Sequence, residues 1–225
     1  MKTLIQNGTL VHGGRTEMAD ILIENGTICD VSPGIQAEGA RVIDAAGCYV
    51  FAGFIDTHTH FDLELGAMST ADDFVSGTRA AILGGTTTVL DFATQSRGMS
   101  MQDALGIWRS KAIGSSCHYG FHMALSDWDE TLAGELDSIV SQGISSFKMY
   151  MVYSHLRVND GQIYEALKRL KTRDCVLGVH CENDDVIQAR IRELREAGQL
   201  APAAHPRARP NAAEAEGVAR YMRIA

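Results

Sequence analysis

No apolar run in this 225-residue sequence approaches the roughly 18 residues that a membrane-spanning helix needs. Met1 to Asn7 turns polar too soon for a signal peptide. Positive charge is also short. Lys and Arg number 20 against 28 Asp and Glu, a net charge of −8, so there is no electrostatic case for nucleic acid or an anionic membrane. The five cysteines, Cys29, Cys48, Cys117, Cys175 and Cys181, are odd in number and scattered through apolar segments. That pattern predicts reduced thiols and not a disulfide framework. These absences predict a cytoplasmic protein. What is present is a chain 45% apolar, enough for one large domain or two small ones.

Residues 1–49 show no helical period and read as short strands, part of a β-sandwich layer. Asn7-Gly8 reads as a hairpin turn after Thr3-Leu4-Ile5, Asn25-Gly26 as a second turn, and Ser32-Pro33-Gly34 as a third. The stretch Tyr49 to Ile55 reads as one buried apolar strand that leads into His58 and His60. From residue 50 onward the pattern alternates. Thr70 to Asp73 reads as a capping box opening a helix that stops at Gly84-Gly85, and Ser100 to Asp103 as another. Strands starting near 86, 117, 145 and 175 recur at about the 30-residue length of a strand-plus-helix unit. Helices follow over 184–197 and 212–224. Strands in such series predict a parallel α/β sheet, with an incomplete (β/α) barrel of the eight-stranded type as the leading form. An open doubly wound sheet is the alternative.

Barrel enzymes work at the C-terminal ends of their strands, so polar groups there are the candidates. His58 and His60 share one face of a strand end, and two imidazoles on one face make half of a transition-metal site. Two solvated loop histidines would read the same. Lys148 stands inside the apolar strand Ser145 to Val152; burial would depress its pKa and free an amine able to take up carbon dioxide as a carbamate. His180 ends the strand from Cys175. Asp56, Asp91, Glu182 and Asn183 read as supports for loops, His180 and a helix cap, and His118 and His122 as packing. His12 and His155 show no partner, and His205 falls in a Pro-rich loop over 201–206.

These motifs together resemble the cyclic-amide branch of the amidohydrolases, the hydantoinases and dihydropyrimidinases, with bacterial phenylhydantoinases the nearest likeness. The matching text is Gly53 to Phe61, Ala71 to Phe74 with Gly77 to Ala81, Gly84 to Thr88, Ser145 to Tyr150 and Val179 to Asp184. The resemblance implies two divalent metal ions, zinc first, with manganese or cobalt accommodated. It assigns His58, His60 and a carboxylated Lys148 to one ion, and Lys148 with His180 to the other. It makes Tyr153 the group that hydrogen-bonds the developing oxyanion, and it makes Leu63 and Leu65, with Met68, the apolar loop that meets the substrate's exocyclic substituent. It implies ring opening of hydantoins or dihydropyrimidines to N-carbamoyl amino acids, and a homotetramer.

The family's chain is longer, and its later part supplies a further histidine and an aspartate to the metals. The sequence therefore reads as the N-terminal half of such an enzyme, expected to be inactive alone. Two rivals remain: a non-catalytic fragment or assembly protein on the family scaffold, and a dihydroorotase- or allantoinase-type enzyme. The latter carry an arginine soon after His-x-His, where this chain has Phe61 to Glu64.

Overall fold

The computed structural model describes residues 1–66 and 68–225, and the side chain of Leu65 lies outside what is described. The chain forms two compact units, Met1–Ile55 with Gly85–Thr87, and Asp56–Gly84 with Thr88–Ala225.

The first unit is built on β1 (Lys2–His12), which pairs antiparallel with β2 (Arg15–Glu24), itself antiparallel to β3 (Thr27–Ser32). Along its other edge β1 pairs in parallel with β4 (Arg41–Asp44) and then with β5 (Tyr49–Phe51). Leu4, Leu10, Ala19, Ile21, Ile35 and Ala45 are among its buried apolar residues. Asn25 and Gly26, both at positive φ, make the expected hairpin turn. Asn7-Gly8 does not turn the chain. Asn7 takes φ 63° inside β1, where the register shifts as a bulge, and its N–H is held by Asp20 Oδ1 at 2.9 Å. A Cβ at position 8 would come within 2.6 Å of Val50, so the glycine serves close packing as well. The hairpin closes instead at Gly13-Gly14.

The stretch 49–55 is likewise not one buried strand. It breaks at Ala52-Gly53 between β5 and β6 (Phe54–Thr59), and Tyr49, Phe51, Phe54 and Ile55 are exposed. Gly53 is required there, because a Cβ would lie within 2.3 Å of Thr87 side-chain atoms.

In the second unit the chain after β6 makes the short pair β7 (Glu64–Leu65) and β8 (Met68–Ser69). Strands and helices then alternate: α1 (Phe74–Leu83), β9 (Thr86–Gln95), α2 (Met101–Lys111), β10 (His118–Leu125), α3 (Glu130–Ser141) and β11 (Ser146–Tyr150). They continue as α4 (Asp160–Lys171), β12 (Val176–His180), α5 (Asp184–Glu196), α6 (Ala204–Ala208) and α7 (Asn211–Ile224). The α1 cap falls three residues beyond Thr70: Asp73 is the N-cap and makes its box with Ser76. Ser100 caps α2 as expected. The segment read as a Pro-rich loop holds α6.

The sheet runs β6-β9-β10-β11-β12, in chain order, and every measured register between β9 and β12 is parallel. A doubly wound sheet reverses its strand order at a switch point, and this one does not. Successive crossovers in one direction wind a (β/α) barrel wall.

Alternation along the strands sorts the side chains. Ala93, Met123, Leu125, Phe147, Met149 and Leu177 face the helices and join Leu105, Leu136, Ile139, Ile163 and Leu170 in one core. Each such large side chain, fully buried, contributes about 1.5–3 kcal/mol. The opposite face carries Phe92, His122, Ala124, Lys148, Tyr150 and His180, and the parallel register sets Ala124 beside Lys148, Lys148 beside Gly178, and Tyr150 beside His180. Among the described residues no helix is long and apolar enough to cross a membrane.

Candidate active site

The polar groups collect on that second face. His58 and His60 leave the end of β6 on one side, with ring centroids 5.1 Å apart, and Phe92 of β9 underlies both at 4.7 and 4.9 Å. Neither imidazole has a hydrogen-bond partner among the described residues. Burial lowers the pKa of each, with the positive charge of Lys148 a further cause. For His60 the nearby Asp91 works the other way, toward the charged form.

Lys148 rises from the middle of β11, half-buried, next to Gly178 of β12. Burial depresses its pKa. Its Nζ lies 5.7 Å from the Tyr150 ring centroid, and no carboxylate reaches it among the described residues. The same burial pushes Tyr150 up to about 12, so its phenol stays protonated.

His180 ends β12. Its Nε2 lies 2.7 Å from Glu182 Oε2, and a carboxylate only accepts, so Nε2 carries a proton and leaves Nδ1 as the nitrogen that can offer a lone pair. Arg209 donates to the same carboxylate oxygen. Burial alone would raise the Glu182 carboxyl, but hydrogen bonds from His180 and Arg209 hold it below the ordinary range. Asn183 caps α5, accepting from Val186 N–H. Tyr153 follows β11 at φ 71°, its ring 5.3 Å from that of His180 and 5.2 Å from the Arg209 guanidinium carbon.

Two adjoining clefts open here. One is lined by His60, Leu63, Trp108, Lys111, Tyr150 and Leu156. The other is lined by Lys148, Tyr153, His180, Glu182, His205 and Arg209. Leu63 thus borders a cleft beside His60, while Met68 is exposed and the Leu65 side chain lies outside the described residues. His205, placed by sequence in a loop, sits on α6 facing the second cleft. His122 is tied by Nε2 to the Thr57 carbonyl at 2.9 Å and by Nδ1 to the Ser146 hydroxyl, which occupies both its nitrogens. Sequence reasoning missed Arg209. Its bond to Glu182 spans 27 positions, and no local pattern announces such a pairing.

The donor chemistry suits a divalent cation. His58 and His60 present unpaired imidazoles. His180 has the carboxylate-backed ring typical of a metal ligand, and Lys148 has an amine whose basicity burial lowers. Among the described residues, though, no three His, Cys, Asp or Glu side chains meet closely enough to hold an ion by themselves.

Comparison with known proteins agrees with this geometry. The D-hydantoinase of Geobacillus stearothermophilus is 40% identical over all of this chain and 48% of its own length. The dihydropyrimidinase of Dictyostelium discoideum is 38% identical over 99% of this chain and 45% of its own. The crystal structure of dihydropyrimidinase from Brevibacillus agri NCHU1002 superposes with a TM-score of 0.96 at 37% identity, covering 100% of this chain and 49% of that one. The chain spans about half the length of the curated relatives it matches. Residues 49–201 match the sequence profile described as the Amidohydrolase family, and with the strand order and the polar face of the sheet this makes the chain a member of that family.

Proposed function

We propose that this chain carries part of the active site of a metal-dependent hydrolase that opens the cyclic amide of hydantoins or dihydropyrimidines to N-carbamoyl amino acids. The observation that carries the reading is Lys148: an amine that no carboxylate reaches among the described residues, set in an apolar strand and close enough to lower the pKa of both His58 and His60. A buried amine is expensive as an ammonium. As a neutral amine it can attack carbon dioxide, lose a proton and become an anionic carbamate, an oxygen ligand for a cation. In this reading His58, His60 and carboxylated Lys148 hold one ion, while Lys148 and His180 hold the second. Zinc is favoured by the nitrogen donors, and manganese or cobalt would be accepted. Bound there, the ions would polarise the ring carbonyl and acidify a water molecule.

The chain's own groups have separate tasks. Depressed basicity keeps His58 and His60 neutral near pH 7, the form that can donate a lone pair. Glu182 fixes the His180 ring through Nε2–H. The Tyr153 phenol, beside His180, donates a hydrogen bond to the carbonyl oxygen as it gains charge. Leu63, Trp108 and Leu156 present apolar surface to the exocyclic substituent. Overall, water adds its oxygen to the carbonyl carbon, the ring C–N bond breaks, and the nitrogen leaves with a proton as part of a ureido group. A cytoplasmic, homo-oligomeric protein, tetrameric by resemblance, is part of the same proposal.

The direct test is ring opening of hydantoin and dihydrouracil by a polypeptide that contains this chain within a complete enzyme. Turnover that falls by about 10²-fold or more in Tyr153→Phe is expected, the scale of losing an oxyanion donor. Unchanged turnover would remove Tyr153 from the mechanism, and no ring opening at all would favour the non-catalytic alternative.

A further inference from the structure

The proposed chemistry makes no use of Asp91, whose carboxylate is 1% exposed and meets no cation among the described residues. It is instead saturated with donors. Oδ2 accepts from the Thr59 hydroxyl at 3.0 Å and from Phe61 N–H at 2.8 Å. Oδ1 accepts from Phe92 N–H at 2.7 Å and from Trp108 Nε1–H at 3.0 Å. Four donors fill the lone-pair sites of a carboxylate, which is how an isolated buried charge is tolerated.

The positions of these donors matter. Thr59 and Phe61 bracket His60 in the chain. Because side chains alternate along an extended strand, a pin behind Thr59 and Phe61 aims His58 and His60 at the opposite face. Phe92, the residue after Asp91, supplies the ring that underlies both imidazoles. The fourth donor, Trp108, is a wall of the cleft that contains His60 and Leu63.

We propose that Asp91 is a positioning residue: through one oxygen it fixes the strand end that aims His58 and His60, and through the other it anchors the Trp108 wall of the cleft that His60 also lines. The part of this that concerns cation binding rests on the metal-site reading above. Two single substitutions separate the oxygens. Thr59→Val removes a donor from the histidine side, and Trp108→Phe removes one from the cleft side; Asp91→Asn turns a donor against donors on one side.

The measurement is histidine-selective NMR of the 225-residue chain, first without metal and then with zinc added. We expect Thr59→Val and Asp91→Asn to shift or broaden the His58 and His60 imidazole signals before any zinc is present. Both should then weaken zinc binding about 10- to 100-fold, the usual loss for a residue that orients a ligand. Trp108→Phe should leave the zinc affinity near that of the parent chain. Unmoved histidine signals in Thr59→Val would overturn the proposal, as would equal effects from Thr59→Val and Trp108→Phe, because a merely structural carboxylate predicts no asymmetry. Should the parent chain take up no zinc, its partial ligand set does not hold the ion alone, and the zinc-free spectra decide the role of Asp91. If Asp91→Asn does not fold, the two partner substitutions decide it alone.

Discussion

The two sides of the candidate site are held by different physics. On the β6 side the histidines are fixed from behind by a carboxylate with 1% exposure and four hydrogen bonds. On the β12 side His180 depends on a chain of charges: Glu182 at 13% and Arg209 at 18% side-chain exposure, with Arg157 bridging Asp184 and Asp185 nearby. Buried hydrogen bonds are indifferent to salt, whereas partly exposed ion pairs weaken as the Debye length shrinks. The geometry of His58 and His60 is therefore set by folding, and that of His180 by an electrostatic arrangement that solution conditions can loosen.

The largest expected effect is on the buried side. Asp91→Ala takes the carboxylate from the Phe61, Phe92 and Trp108 N–H groups, while the Thr59 hydroxyl keeps the Leu90 carbonyl at 3.2 Å, and should cost about 3 kcal/mol or more of stability, since each unmet buried group costs roughly 1–3. Urea unfolding would measure it; a loss below about 1 kcal/mol would mean that the network is not dry. On the charged side, Arg209→Gln removes a cation shared by Glu182 and the Tyr153 ring, and should cost only about 1 kcal/mol because both partners are partly screened. It should move the His180 NMR signals and leave those of His58 and His60 in place. Movement of all three together would erase the distinction.

The smallest effect concerns Asp185. A hydrogen bond from Arg157, and then its charge, holds this carboxyl below its ordinary 3.8. A lowered folded-state pKa adds stability that is present above the ordinary value and is lost as pH falls through the folded one. Melting curves between about pH 5 and pH 3 should therefore slope downward, less steeply in Asp185→Asn or in high salt. An identical slope in the variant would remove this pair from the account.

Much of this arrangement was legible in the sequence because it follows from period and punctuation. The βα alternation came from strand and helix periods. His58 and His60 on one face followed from a two-residue repeat, and Lys148 stood out as an amine in an apolar strand. Other features were illegible for identifiable reasons. Asn7-Gly8 signals positive φ, and a bulge needs that as much as a turn does. Thr70 and Asp73 are both competent caps, and only the path of the chain after β8 selects Asp73. Glu182 was readable as a neighbour of His180, but Arg209 was not, since its partner is brought near by tertiary folding. Asp91 looked like a loop support, and its four partners appear only once α2 and the end of β6 are packed on it.

The central claim is that Lys148 completes a metal site as a carbamate. Intact mass under non-acidic conditions, measured together with metal content on protein purified without chelator, tests it most directly. The account predicts bound metal accompanied by the added mass of one carbon dioxide, both lost in Lys148→Met. Metal held at His58, His60 and His180 while Lys148 remains a plain ammonium would contradict it.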